Sequence, residues 1–231
     1  MLKAFLFDFN GVILDDEDHH YESLKRVLEE EGVSISREAY YRHCLGFNDF
    51  ECFLWGLGNA RRVRKTGGME SLVQRKSLYY QELLQAETRF FPGVCEFIRT
   101  AAKKYPLGLA SMAHRSEIEW ALAKAGIGRL FSAIVSGEEV TQTKPDPEPY
   151  LEALRRLNRK LRDAGRDPVG PAECLVIEDS AQGIQSAKRA GMRALGLAQS
   201  VTAEELREAD WVLPSLEHVS LNEVEVLFKG R

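Results

Sequence analysis

Ala4-Phe5-Leu6-Phe7-Asp8-Phe9-Asn10-Gly11-Val12-Ile13-Leu14-Asp15 decides the reading of this chain. Four apolar residues run straight into an acid, the pattern of a buried strand that ends at Asp8. Gly11 lets the backbone turn sharply just beyond it. In parallel sheets, ligands sit past the carboxyl ends of the strands. A carboxylate placed there can attack phosphorus or bind a hard cation through oxygen. Asp and Asn are also ordinary turn formers, so a capped turn stands as the plain alternative.

Four later runs have the same apolar character: Leu107–Ala110, Ala133–Val135, Cys174–Ile177 and Ala194–Leu197, with Trp211–Leu213 as a further candidate. Helical spacing lies between them over Val94–Lys104, Ser116–Ala125, Pro147–Leu161 and Ala181–Ala190. Strand and helix alternate, which predicts an α/β fold built on a doubly wound parallel sheet. Residues 16–88 break the rhythm. They carry helical segments at Tyr21–Glu31, Glu38–Cys44 and Met69–Leu84 and no strand. That is too long for a loop inside a domain. It predicts a helical cap inserted into a core made of residues 1–15 and 89–231, with Phe91-Pro92-Gly93 as the return hinge.

Three further motifs stand near strand ends. Ser111 follows Gly108-Leu109-Ala110, where a hydroxyl and backbone N–H groups can hold phosphate oxygens; a helix N-cap is the commoner use of Ser. In Thr143-Lys144-Pro145-Asp146-Pro147, Lys144 can neutralise a nucleophile and a transferring phosphoryl group. A lone lysine is usually solvated, but Pro147 marks a helix start directly after this one. Glu178 and Asp179 follow the Cys174–Ile177 run. Acids favour helix N-termini, yet adjacent acids at the mouth of an apolar sheet are costly unless a cation or donors compensate.

The order and spacing of these motifs resemble the haloacid dehalogenase superfamily, and within it the beta-phosphoglucomutase-like branch with a helical cap of the first type. The likeness runs from about residue 3 to about residue 215. It implies a Rossmann-like core and a phosphorylated nucleophile at Asp8. It implies magnesium held by Asp8, the Asn10 carbonyl and Asp179, with Glu178 supporting the ion directly or through water. Ser111, Met112 and Lys144 would hold the phosphoryl group, and His20, Gly46 and Asp49 of the cap would face the substrate.

Two departures follow. The family pattern has a second Asp two residues after the nucleophile, serving as general acid and base; here it is Asn10. An amide does not exchange a proton near neutral pH, and such help is typically worth roughly 10²–10⁴-fold in rate. A slow enzyme, a substitute acid, or a homologue that binds without turnover are the readings. His19, His20 and His114 are candidates for the substitute, with a surface helix as the plain reading of the first two. In Leu45-Gly46-Phe47-Asn48-Asp49-Phe50, Asp49 stands where the mutase branch grips a second phosphate with a basic residue. An acid repels phosphate. Hydrolysis of a small phosphorylated metabolite is therefore expected ahead of hexose-phosphate mutation. Arg61-Arg62-Val63-Arg64-Lys65 could add positive charge, or form a solvated face.

Composition bounds the partners. The net charge is -4 with both signs interspersed, so no basic stripe points to nucleic acid. No apolar run approaches a membrane span, and Met1–Phe7 lacks a secretory pattern. Cys44, Cys52, Cys95 and Cys174 show no C-x-x-C spacing, which argues against zinc and for reduced thiols. A cytoplasmic monomer or weak homodimer is expected.

Overall fold

The apolar runs form one sheet in the computed structural model, which describes residues 1–45, 47–58 and 68–230. Strands β1 (Ala4–Phe7), β2 (Leu107–Ala110), β3 (Phe131–Val135), β4 (Cys174–Glu178), β5 (Arg193–Leu197) and β6 (Trp211–Leu213) pair in the order β3-β2-β1-β4-β5-β6. Every pairing is parallel. Strand β3 starts two residues before the expected run because Phe131 is itself buried. The central strands β1, β2 and β4 are buried at every position. The edge strands are more open: β3 alternates buried and exposed positions, and β6 is partly exposed along its length. That contrast is what a sheet covered on both faces produces.

The strand period of two sorts β1 between two layers. Ala4 and Leu6 join a cluster with Tyr150, Ala153, Leu154 and Leu157. These come from one stripe of helix α7 (Glu148–Asp163), spaced three and four apart. Phe5 and Phe7 face the other way and meet Phe97 of helix α5 (Val94–Ala102) at centroid distances of 5.8 and 6.5 Å. Gly108 on β2 makes room for this arrangement, since a Cβ there would lie 2.4 Å from the Leu6 side chain. Helices α6 (Arg115–Lys124), α8 (Ala181–Arg189) and α9 (Leu221–Lys229) complete the core.

The chain separates into two compact units, Met1–Asp15 with Arg89–Arg231, and Asp16–Thr88. The return to the first unit comes at Arg89, before Phe91-Pro92-Gly93. There Arg89 O accepts from Asp15 N at 3.0 Å, and Leu14 bridges to Phe90. The helical insert holds α1 (Glu17–Glu30), α2 (Arg37–His43), α3 (Asp49–Leu57) and α4 (Met69–Ala86). Its own core joins Tyr21, Leu24 and Leu28 of α1 to Phe53 and Leu57 of α3 and Leu72 of α4. Helix α3 was not expected from the sequence. It is capped by Asn48, whose side chain accepts from Glu51 N at 2.9 Å, while Glu51 accepts from Asn48 N. Apolar residues on nearly every side of α3 hide its period.

The four cysteines are free, and Cys44, Cys52 and Cys174 are buried. No helix among the described residues is long and apolar enough to cross a membrane.

Candidate active site

Four strand ends meet at one edge of the sheet. Asp8 follows β1, Ser111 follows β2, Lys144 lies on the connection after β3, and Glu178 and Asp179 end β4. Strand order reverses at β1, between β2 and β4, which is where open α/β sheets place their ligands.

Lys144 ties the edge together. Its Nζ donates to Asp8 Oδ1 at 2.5 Å, to Glu178 Oε1 at 2.7 Å and to the Ala110 carbonyl at 3.1 Å. The ammonium also lies 4.8 Å from the centre of the Tyr150 ring. Its loop is anchored to α8. Ser186 Oγ donates to Asp146 O at 2.6 Å, and Arg189 donates to Pro145 O at 3.0 Å. The Lys144–Pro145 peptide is cis.

Glu178 is satisfied on both oxygens. Oε1 accepts from Lys144 and, at 2.8 Å, from Tyr150. Oε2 accepts from the Asp179 and Ser180 backbone, each at 3.0 Å, and from Ser180 Oγ at 2.9 Å. Ser180 in turn caps helix α8, its Oγ accepting from Gly183 N at 3.0 Å, so Glu178 holds the capping residue in place.

Asp8, Glu178 and Asp179 each offer a carboxylate oxygen within 4.8 Å of the others. Burial pushes Asp8 up to about 7, although Lys144 pulls the other way. Burial, with the charges of Glu178 and Asp8, holds Asp179 well above the usual carboxylate range. Glu178 stays low because Lys144 and its hydrogen bonds outweigh its burial. One ammonium thus serves three buried acids. A divalent cation would supply the positive charge that favours ionised Asp8 and Asp179, so the residues present fit a hard metal ion with oxygen ligands.

Asn10 lies beside this group. Its Oδ1 is 3.3 Å from Ser111 Oγ, which donates to it, and Ser111 Oγ accepts from Ala113 N at 3.0 Å. Ser111 is thereby buried and oriented. Met112 is partly exposed, and its carbonyl is packed where a Cβ on Gly137 would come within 2.6 Å. His114 is exposed and pairs with Glu138 at 3.0 Å at the start of α6.

The insert holds the remaining candidates. The reading of His19 and His20 as surface residues fails: His19 is buried, and His20 is half-buried in a polar cluster. Lys76 Nζ lies 2.7 Å from His20 Nδ1 and 2.6 Å from Asp49. His20 Nε2 lies 3.2 Å from the Asp16 carboxylate. Tyr80 donates to Asp16 and stacks on His20 at 4.4 Å. While Lys76 is charged, Nδ1 must accept, so the His20 proton sits on Nε2 toward Asp16. Both ring nitrogens are then engaged inside the insert. Gly46 and the basic run 61–65 lie outside the described residues.

Sequence reasoning missed Lys76, Tyr150 and Gly183. Lys76 stands in the buried stripe Leu72, Lys76, Tyr80, Leu84 of α4; a lone charge in such a stripe was the available signal. Tyr150 hides in the apolar stripe of α7 as one more core aromatic. Gly183 is required sterically, because a Cβ there would lie 1.7 Å from Glu178 Oε1. Gly183→Ala is therefore expected to displace Glu178 and, through it, Lys144. The stability loss should be about 1–3 kcal/mol, the usual range for overpacking. Urea unfolding measures it, and an unchanged midpoint would show that the start of α8 moves aside freely.

An acidic, lysine-bridged edge on a sheet of this order defines a class of α/β enzymes, and sequence comparison places the chain within it. Residues 5–197 match the haloacid dehalogenase-like hydrolases, and the chain belongs to that family. It is 31% identical over 206 residues to the phosphorylated carbohydrates phosphatase of Thermotoga maritima, covering 87% of each chain. It is 29% identical over 203 residues to the beta-phosphoglucomutase of Bacillus subtilis, covering 86% of this chain and 84% of the relative. The structure of CbbY from Rhodobacter sphaeroides in complex with phosphate superposes with a TM-score of 0.77 at 26% identity, covering 97% of this chain and 100% of that one.

Proposed function

We propose that the protein hydrolyses a small phosphorylated metabolite through an aspartyl-phosphate on Asp8, with magnesium as its cofactor, and that Asn10 keeps it slow. The observation that carries this is the Lys144 ammonium held between Asp8 and Glu178 in a buried acidic edge. An Asp8 oxygen attacks phosphorus and the bond to the leaving oxygen breaks. Lys144 stays charged and offsets the negative charge gathered there. Ser111 offers a hydroxyl to the phosphoryl oxygens. Water then releases phosphate and restores the Asp8 carboxylate. Asp8, the Asn10 carbonyl and Asp179 would hold magnesium, with Glu178 supporting it. When bound, the ion neutralises phosphoryl oxygens and leaves the chain mainly the work of positioning. Asn10 cannot protonate the leaving oxygen or take a proton from the attacking water, so both protons are exchanged with solvent, which keeps turnover slow.

Mutation of a hexose phosphate is the second reading, supported by the beta-phosphoglucomutase relative. Asp49 weighs against it. That acid already neutralises Lys76, so the pair offers no net positive charge to a second phosphate.

Turnover of an aryl phosphate should need magnesium and vanish in Asp8→Asn; turnover in that variant would remove Asp8 as nucleophile. A panel led by carbohydrate phosphates then separates hydrolysis from mutation. Magnesium affinity should also depend on pH. Asp8, raised to about 7, holds a proton below that value, and the cation must displace it. Affinity therefore rises as pH increases through about 7, and Asp179, also held well above the usual carboxylate range, adds to the rise. Calorimetric titration at pH values on either side, in buffers of different ionisation heat, reads the released proton. Equal affinity across that range would contradict the assignment.

A further inference from the structure

The loop after β5 reaches back to the loop after β1. Gln199 Nε2 donates to the Gly11 carbonyl at 2.8 Å, joining segments 188 residues apart. Gly11 N–H donates to the Leu14 carbonyl at 2.9 Å. A trans peptide points its carbonyl opposite its N–H, so fixing the Gly11 N–H also fixes the direction of the Asn10 carbonyl. Gly11 has a φ of +74° and is walled by two side chains. A Cβ on it would lie 1.8 Å from Asp179 Oδ2 and 2.7 Å from Ser200 Oγ. The Ser200 hydroxyl and the Asp179 carboxylate thus flank the same side of Gly11. Gln199 Oε1 is buried without a partner. Packing alone would favour an apolar side chain there, because an unmet buried acceptor is costly.

We infer that Gln199 and Ser200 are positioning residues for the cation. Gln199 holds the peptide next to the Asn10 carbonyl, and Ser200 orients the Asp179 carboxylate. The two groups come from opposite ends of the core sequence and are set against each other by this loop. The inference rests on the proposed magnesium site, in which Asn10 and Asp179 are ligands. Removing partners that orient metal ligands typically weakens affinity about 10–100-fold.

Gln199→Met keeps the length of the side chain and removes its donor; Ser200→Ala removes the hydroxyl. Magnesium titration calorimetry of the full chain should show about tenfold weaker binding or more in Gln199→Met, and a further loss in the double variant. Melting in chelator should change little. The rise in melting temperature caused by a fixed magnesium concentration should shrink. A merely structural role would lower the chelator melting point and leave magnesium affinity at the parental level. Parental affinity in both variants overturns the inference. A parent chain that takes up no magnesium instead overturns the proposed site, a result told apart by the parental titration alone.

Discussion

Lys144→Met should cost about 3–5 kcal/mol of stability near pH 8, as removal of one member of a buried ion pair typically does. Lys144 is itself buried and raised above the ordinary lysine range, because Asp8 and Glu178 outweigh the penalty of burial. Without it, the Glu178 oxygen it shares with Tyr150 and the Asp8 carboxylate face each other with no positive charge between them. Glu178 must then rise above its unfolded value, and Asp8, already raised, must rise further. An acid raised in the folded state costs stability that grows as pH climbs from its unfolded to its folded value. The penalty should therefore be small near pH 4 and largest near pH 8. Urea unfolding in chelator at both pH values tests this. A loss that does not change with pH would assign the effect to lost packing of the lysine stem. Turnover should fall by about 10²–10³-fold, the usual cost of removing one preorganised charge donor.

Asn10→Asp should raise phosphatase turnover by roughly 10²-fold or more, within the range usual for general acid–base help. The volumes are nearly equal, and Ser111 already donates to Oδ1, so a carboxylate can take the same seat. It restores a group that can protonate the leaving oxygen and accept a proton from water. The new acid joins an edge where Asp8 and Asp179 are already raised by burial and by like charge. The gain should accordingly need magnesium, and the metal-free variant should be slightly less stable. The competing account gives the proton to His20. That ring has one nitrogen on Lys76 and the other on Asp16. Under that account His20→Ala abolishes turnover and Asn10→Asp changes little. Steady-state rates at saturating magnesium decide, and an Asn10→Asp rate at or below the parental rate would reject the amide as the brake.

The core was legible because its signals are local. Each buried strand is a short apolar run, and most site residues of the core fall within a few residues of one. Asp8, Ser111, Glu178 and Asp179 lie at the ends of such runs, whereas Lys144 stands well past β3 and its place in the same site came with the family resemblance. What was not legible depends on contacts between distant segments. Tyr150 reads as core until its hydroxyl is seen on Glu178. Lys76 looks like one more exposed helical lysine until Asp49 and His20 close around it. Gln199 belongs to an unremarkable loop, and only its bond to Gly11 gives it a role. Helix α3 was hidden for a different reason, since its apolar residues leave no polar face to mark a period. The departure at Asn10 was plain in the sequence, because its fixed spacing from Asp8 in the family pattern exposes any exchange there.

The central place of β1 sets an order of assembly. Its neighbours are β2, about a hundred residues later, and β4, which begins at Cys174. During synthesis β1 emerges ahead of both and must wait unpaired. At about 5–20 residues per second, the wait for its second neighbour is on the order of ten seconds or more. The helical insert is contiguous and can close over local contacts meanwhile, as low contact order favours. A nascent chain halted before Cys174 would carry the Ala4–Phe7 edge exposed on one side, open to pairing with another such chain. Asp8 is made well before Lys144, Glu178 and Asp179, the residues that come to surround it.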